Sequence, residues 1–249
     1  MLHIDGLALV LSLAPHGEHG AVVRFLTPDQ GLVAGYVIGG RSRALRGTLQ
    51  PGNLVSLVLR PRAGGGMGQA KVELHSARAA LAGSGLGLAA LDWATTVTAA
   101  TLAEGDSHPD LYAGLDAMTA AIAADAPPRL LGETMVRYEL LLLARLGLGL
   151  DLSSCAATGA RDELAYVSPR SRQAVSLGAG LPHAAKLLPL PAFVLGNGAP
   201  TAADVAGGLR LSGFFLARDL LGPRAQRLVP TRQRFIDRLA ALDPVLFPG

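Results

Sequence analysis

Gly39-Gly40-Arg41-Ser42-Arg43-Ala44-Leu45-Arg46-Gly47 places three arginines within six residues, bracketed by glycines. Apolar, strand-like runs flank it, Leu32–Ile38 before and Leu54–Arg60 after. The stretch therefore reads as a connection between two strands, where side chains are free to meet a ligand. Guanidinium groups are planar forks that match phosphate oxygens and keep their charge near neutral pH. A solvated, charged loop is the plainer reading of the same residues.

Outward from this hinge, Leu7–Leu13, Ala21–Thr27 and Gln69–His75 complete a set of short β-type runs. Turn residues separate them, among them Pro15-His16-Gly17 and Pro28-Asp29-Gln30-Gly31. Partial alternation in Ala21–Leu26 and Leu54–Leu59 fits strands with one face buried. Five strands in roughly 75 residues leave no room for the helical crossovers of a parallel sheet. The expected closure is a five-stranded Greek-key barrel, the OB-fold.

From about Leu81 the text turns helical, rich in alanine and leucine. Ala89–Glu104 sets Leu91, Trp93, Ala94, Val97 and Thr101 near one side. Leu111, Leu115, Met118 and Ile122 continue at steps of three and four. Arg129–Leu146 follows with Leu131, Met135, Tyr138 and Leu142 on one stripe. Residues 151–180 read as irregular, and helices resume over Ala202–Leu221, after a Thr201 cap, and over Thr231–Leu242. The fold class expected is α+β. Residues 1–80 form the OB barrel for nucleic acid, and residues 81–249 form a helical domain with the irregular insertion.

Half of the 249 residues are apolar and 16% are charged, a balance that opposes extensive disorder. Leu140–Ala144, the longest strongly apolar run, is far too short to span a bilayer and is flanked by Glu139 and Arg145. The first residues lack a secretory pattern. The single cysteine, Cys155, excludes an internal disulfide and fits a reducing compartment. A cytoplasmic, nucleoid-associated protein without membrane contact is expected.

Charge is uneven. Residues 1–80 carry eight basic against four acidic side chains, residues 81–150 three against eight, and residues 151–249 eleven against seven. Basic ends around an acidic middle suit a polyanion met by the ends. Catalytic signatures are missing: no Gly-x-Ser-x-Gly elbow, and no histidine companion to Cys155 in sequence. Gly85-Leu86-Gly87-Leu88-Ala89-Ala90 matches a relaxed dinucleotide pattern but follows no strand of a βαβ unit. His16-Gly17-Glu18-His19 reads as a polar turn, since nothing identifies the further ligands that a metal site needs. Neither an enzyme nor a cofactor is expected.

Single-strand binding is the leading function for such a barrel, which pairs a positive groove with aromatic platforms. Arg24, Arg41, Arg43, Arg46, Arg60, Arg62 and Lys71 are the candidate phosphate contacts. Aromatics are scarce, with only Phe25 and Tyr36 before residue 80. Binding is thus expected to grip backbone, to lack sequence preference and to weaken steeply with salt. Arg224, Arg227, Arg232, Arg234 and Arg238 form a second basic set, a further DNA track or the decoration of exposed helix faces.

With these elements placed, the chain resembles the bacterial recombination mediator family RecO. The resemblance rests on Gly17-Glu18, Phe25-Leu26-Thr27, Gly31-Leu32, the arginine hinge and Leu49-Gln50-Pro51. It continues through Leu102–Tyr112, Arg137–Gly147, Leu150-Asp151-Leu152, Cys155, Tyr166–Pro169 and Thr231–Phe235. It implies an OB-fold followed by a helical domain, binding of single- and double-stranded DNA, annealing of complementary strands and aid in loading recombinase. The implied partners are RecR and the single-stranded-DNA-binding protein (SSB), whose acidic C-terminal tail docks on the helical domain. Arg137 matches a family position there, with Tyr138 and Leu142 as neighbours, although Arg137 can equally pair with Glu133. The alternative function is a non-catalytic protein-interaction scaffold.

The resemblance also brings a departure. Many relatives hold zinc with two Cys-x-x-Cys pairs. Here those pairs read Cys155-Ala156-Ala157-Thr158 and Ser176-Leu177-Gly178-Ala179. One thiolate cannot make a closed four-ligand zinc site, so no metal is expected, and packing must hold residues 151–180 around an inert Cys155.

Overall fold

The structure is a computed structural model that describes residues 3–62, 66–83 and 85–246. It divides into two compact units, residues 1–126 and 127–249.

The first unit begins with β1 (Ile4–His16), β2 (Gly20–Thr27) and β3 (Gly31–Val37). A single helical turn, α1 (Arg43–Arg46), leads to β4 (Leu54–Arg60) and β5 (Gln69–Ser76). They close into a barrel of order β1-β2-β3-β5-β4, with β4 returning to β1. β1 extends beyond the expected Leu7–Leu13 because it serves two partners in succession. Its first half pairs with β4 and its second half with β2, across a bulge between Val10 and Ser12 that bends the strand. Alternate residues point inward, so Ala21, Val23 and Phe25 of β2 meet Val33 and Val37 of β3 and Val55, Leu57 and Leu59 of β4.

The seam between β3 and β5 is short and parallel, held at Tyr36 and Gln69, with the Tyr36 N–H bonded to the Gly68 carbonyl at 2.8 Å. Three helices follow: α2 (Arg78–Leu81), α3 (Gly85–Thr101) and α4 (Pro109–Ala123). α3 packs on β1 and α4 reaches β2. The strand-to-helix change near residue 80 is therefore not where the compact units divide. These helices belong with the barrel because β1 also buries its outer-face Leu9 and Leu11. The α4 stripe Leu111, Leu115, Met118 and Ile122 is buried throughout, as its spacing requires.

The second unit is built on α5 (Pro128–Arg145), α7 (Ala202–Phe215) and α8 (Ala225–Leu242). Between α5 and α7 lie β6 (Leu164–Val167), β7 (Ala174–Ser176), the turn α6 (Leu177–Gly180) and β8 (Leu188–Pro189). The segment expected to be irregular thus contains two strands of a three-stranded sheet of order β7-β6-β8. The strands are only two to four residues long, too short for a periodic signal. Thr201 and Asp204 form a reciprocal capping box that starts α7. After Phe215 the chain runs through a π-helical turn, Leu216–Leu221. α8 begins six residues before the expected Thr231, because Pro230 lies inside the helix and does not start it.

Candidate nucleic-acid interface

The barrel closure builds a groove of about 850 Å³ on one end of the sheet. One wall is the β1–β2 turn with His16 and Gly17, and the other is Arg60-Pro61-Arg62 with Met67 and Gln69. Val22, Tyr36 and Ile38 of the β2–β3 side form its floor. This is the position at which five-stranded barrels of this topology take oligonucleotides.

Tyr36 is half-buried, whereas Phe25 is wholly buried in the barrel core. The two barrel aromatics therefore divide into a platform and a core residue. The Tyr36 ring stands over Gly20, where a Cβ would lie 2.1 Å from the phenol oxygen and would displace the ring. His16 meets Tyr36 edge to face, with ring centroids 5.7 Å apart. Ile38 and Met67 expose 63% and 44% of their surface, apolar area suited to the face of a base. Arg60 and Arg62 are exposed at the rim, and neither has a hydrogen-bond or ion-pair partner among the described residues.

The arginine hinge faces a different concavity of about 510 Å³, lined by Arg41, Arg43 and Arg46 together with Leu13, Leu49 and Gln50 among others. Ser42 caps α1, its hydroxyl accepting from the Leu45 N–H at 3.4 Å, so Arg43 and Arg46 project from one ordered turn. Arg41 Nη1 donates to the carbonyls of Glu18 at 3.1 Å and Gly17 at 3.5 Å, tying the hinge to the turn that walls the groove. Asn53, 1% exposed, secures the far end of the loop. Its amide donates to the carbonyls of Gly47 (2.7 Å) and Thr48 (3.2 Å), and its side-chain oxygen accepts from Ala79 N–H at 2.9 Å.

Two further barrel cations are placed elsewhere. Arg24 is turned onto the helices: Nη1 donates to the Ala99 carbonyl at 2.6 Å and Nη2 pairs with Glu104 at 3.3 Å. These contacts tie β2 to the end of α3. Lys71 is exposed on β5 opposite Val58, two residues from Gln69 on the same outward side and outside the groove lining.

In the second unit, Arg232 is buried, which removes it from any DNA track. It forms a two-pronged pair with Glu139 (2.7 and 2.9 Å) and donates to the Leu209 carbonyl at 2.7 Å. Ser212 donates to Glu139 at 2.5 Å, so one carboxylate joins α5, α7 and α8. A Cβ at Gly213 would lie 2.4 Å from the Arg232 guanidinium, which explains a glycine within α7. Arg227, Arg234 and Arg238 remain on the outward side of α8, at steps of seven and four, with Arg224 exposed just before it.

The tail-docking residues also separate. Tyr138 and Leu142 expose 2% and none of their surface, so both belong to the core stripe of α5 and cannot line an open groove. Arg137 is half-exposed, pairs with Glu133 at 2.9 Å and stands 5.4 Å over the Phe193 ring.

At the four positions suggestive of zinc, Cys155, Thr158, Ser176 and Ala179, the donors do not fit the metal. The Cys155 sulfur instead accepts the N–H and hydroxyl of Ser176 at 3.2 and 3.4 Å. Hydrogen bonds from the Ser176 hydroxyl, Thr158 and the Ser176 N–H pull the thiol down to about 6. Among the described residues no group of three His, Cys, Asp or Glu is placed to hold a metal ion. Nor is any described helix long and apolar enough to cross a membrane.

The groove residues His16, Ile38, Met67 and Gln69 were absent from the sequence candidates. They lie far apart in the chain, and only closure of β3 on β5 unites them.

Comparison with known proteins adds a consistent result. The family model described as Recombination protein O N terminal matches residues 1–78, and that described as Recombination protein O C terminal matches residues 84–227. The chain is 43% identical to a DNA repair protein RecO of Caulobacter vibrioides over 238 residues, covering 95% of this chain and 97% of that one. It is 43% identical to that of Phenylobacterium zucineum over 235 residues (94% and 96%) and 42% identical to that of Rhodospirillum rubrum over 247 residues (96% and 97%).

Proposed function

The chain belongs to the RecO family of DNA repair proteins, and from that premise we propose that its barrel binds single-stranded DNA in the groove between the β1–β2 turn and Arg60, Arg62, Met67 and Gln69. Family membership makes it a repair and recombination protein and not an enzyme. The observation that carries the reading is the pairing, in one groove, of a Tyr36 platform with two exposed guanidiniums that no carboxylate answers among the described residues. Bases stack on the ring and the apolar floor, while Arg60 and Arg62 take the phosphates. Such contacts tolerate any sequence, because every base has a π-face.

The protein binds single- and double-stranded DNA and anneals complementary strands. It also assists recombinase loading on strands coated by SSB, with RecR as a partner. Arg224, Arg227 and Arg234 add a secondary phosphate contact, and Arg137, beside Phe193, meets the acidic tail of SSB. The site of action is the cytoplasm, at the nucleoid.

A salt titration of a fluorescent oligonucleotide tests the groove. Each phosphate contact on a single strand contributes about 0.7 to the log–log salt slope, so Arg60→Gln/Arg62→Gln should lower it by about 1.4. Affinity that is negligible at low salt, or indifferent to salt, would favour the interaction scaffold and defeat the proposal.

A further inference from the structure

The concavity of the arginine hinge differs in chemistry from the groove. It presents three guanidiniums and the Gln50 amide, and neither an aromatic ring nor a carboxylate lines it. It can hold phosphate oxygens, but it has no ring on which to stack a base. The groove, by contrast, has the Tyr36 ring, the exposed side chains of Ile38 and Met67, and its own two cations.

The wall between the two is the β1–β2 turn. Gly17 lines the groove on one side, and Arg41, which lines the hinge concavity, bonds the Gly17 and Glu18 carbonyls from the other. The Arg41 N–H also reaches the His19 carbonyl at 3.3 Å. The wall is therefore held in place from the hinge side. The cations of the two concavities come from different parts of the chain, the β3–β4 connection for the hinge and the end of β4 with the following Arg62 for the groove. The side chains of Arg43 and Arg46 are exposed and meet no partner among the described residues.

We propose that the hinge concavity seats the phosphate backbone of a second DNA strand, so that one barrel holds two strands on either side of the β1–β2 turn. This rests on the reading of the groove as the single-strand site. The first strand lies with its bases against Tyr36. The second is gripped by its backbone alone, which leaves its bases free to pair. Two strands approaching each other repel through their phosphates. Cations fixed on both sides of a narrow wall reduce that repulsion and raise the local concentration of one strand beside the other.

The test uses the full chain and an oligothymidylate of about eight nucleotides, within the site size of one such barrel. At low salt, calorimetry should find two oligonucleotides bound per native chain. Arg43→Gln/Arg46→Gln should bind one, with the tighter affinity unchanged and the thermal midpoint preserved. In stopped-flow mixing of complementary oligonucleotides, the same variant should anneal roughly tenfold more slowly, the low end of electrostatic rate effects. Arg41 is left intact because it also holds the turn. A native stoichiometry of one overturns the inference, as does a variant that weakens the tighter site and slows annealing only in proportion. Those results describe one continuous strand path across the turn. Failure of the groove reading looks different: Tyr36→Ala with Arg60→Gln/Arg62→Gln would leave the tighter affinity intact.

Discussion

The arginines of the barrel's hinge and groove and the paired arginines of residues 127–249 meet opposite surroundings. In residues 127–249, Arg232 is matched by Glu139, Arg137 by Glu133, Arg129 by Asp243, and Arg172 and Arg218 by Asp219. In the barrel, Arg41, Arg43, Arg46, Arg60 and Arg62 meet no carboxylate among the described residues. Net charge points the other way. Residues 1–126 carry eight basic against ten acidic side chains, and residues 127–249 carry fourteen against nine. The nominally acidic unit thus gathers open cations around two concavities, facing an outside anion. Placement, not sum, decides which arginines can bind DNA.

The comparison breaks most visibly at Glu139. Glu139→Ala strands a buried guanidinium, and such a loss costs about 3–5 kcal/mol. Urea unfolding should show it as a lowered midpoint. Replacing Glu139 by Met and Arg232 by Leu together should recover most of the loss, because two apolar side chains of similar volume need no partner. A single variant as stable as the native chain would mean that Arg232 is not a structural residue.

Arg232 was also within reach of the sequence. It falls in register with Phe235 and Leu239, the buried positions of α8, at steps of three and seven. The expected helix Thr231–Leu242 already contains that register, but its charge groups the arginine with the basic set. Local periodicity did identify the inward faces of α4 and α5, since their apolar residues recur within each helix. The same stripe that made Tyr138 and Leu142 conspicuous is what buries them. The five-stranded barrel was legible because short alternating runs leave few other closures. The groove was not, because residues 16, 36, 60–62, 67 and 69 meet only through strand pairing. Arg24 needed the end of α3, some 75 positions away, before its carbonyl partner existed.

Asn53 sharpens the barrel side of the contrast. Its amide replaces missing partners for the Gly47 and Thr48 carbonyls, and its oxygen answers the Ala79 N–H. Asn53→Ala leaves the Ala79 N–H unsatisfied in a buried site, a cost of about 1–3 kcal/mol. Hydrogen exchange should then rise at Ala79, whose N–H loses its acceptor, and around Gly47–Asn53. If exchange there stays native while stability falls, the hinge owes its order to the Ser42 cap and not to Asn53.

The smallest effect is expected at Cys155, where the second unit again satisfies a charge internally. The thiol, 2% exposed, titrates at about 6 against an ordinary 9.0, chiefly because the Ser176 hydroxyl, then Thr158 and the Ser176 N–H, donate to its sulfur. The folded chain therefore holds fewer protons than the unfolded chain between those values. By linkage this contribution to stability is full above about pH 9, shrinks as pH falls, and is gone below about pH 6. The difference in thermal midpoint between the native chain and Cys155→Ala should accordingly widen as pH rises from 6 to 9. Ser176→Ala should narrow that pH dependence by removing the leading donor while keeping the backbone N–H. Parallel curves for native and Cys155→Ala across the window would show that the sulfur stays a neutral thiol, held by packing alone.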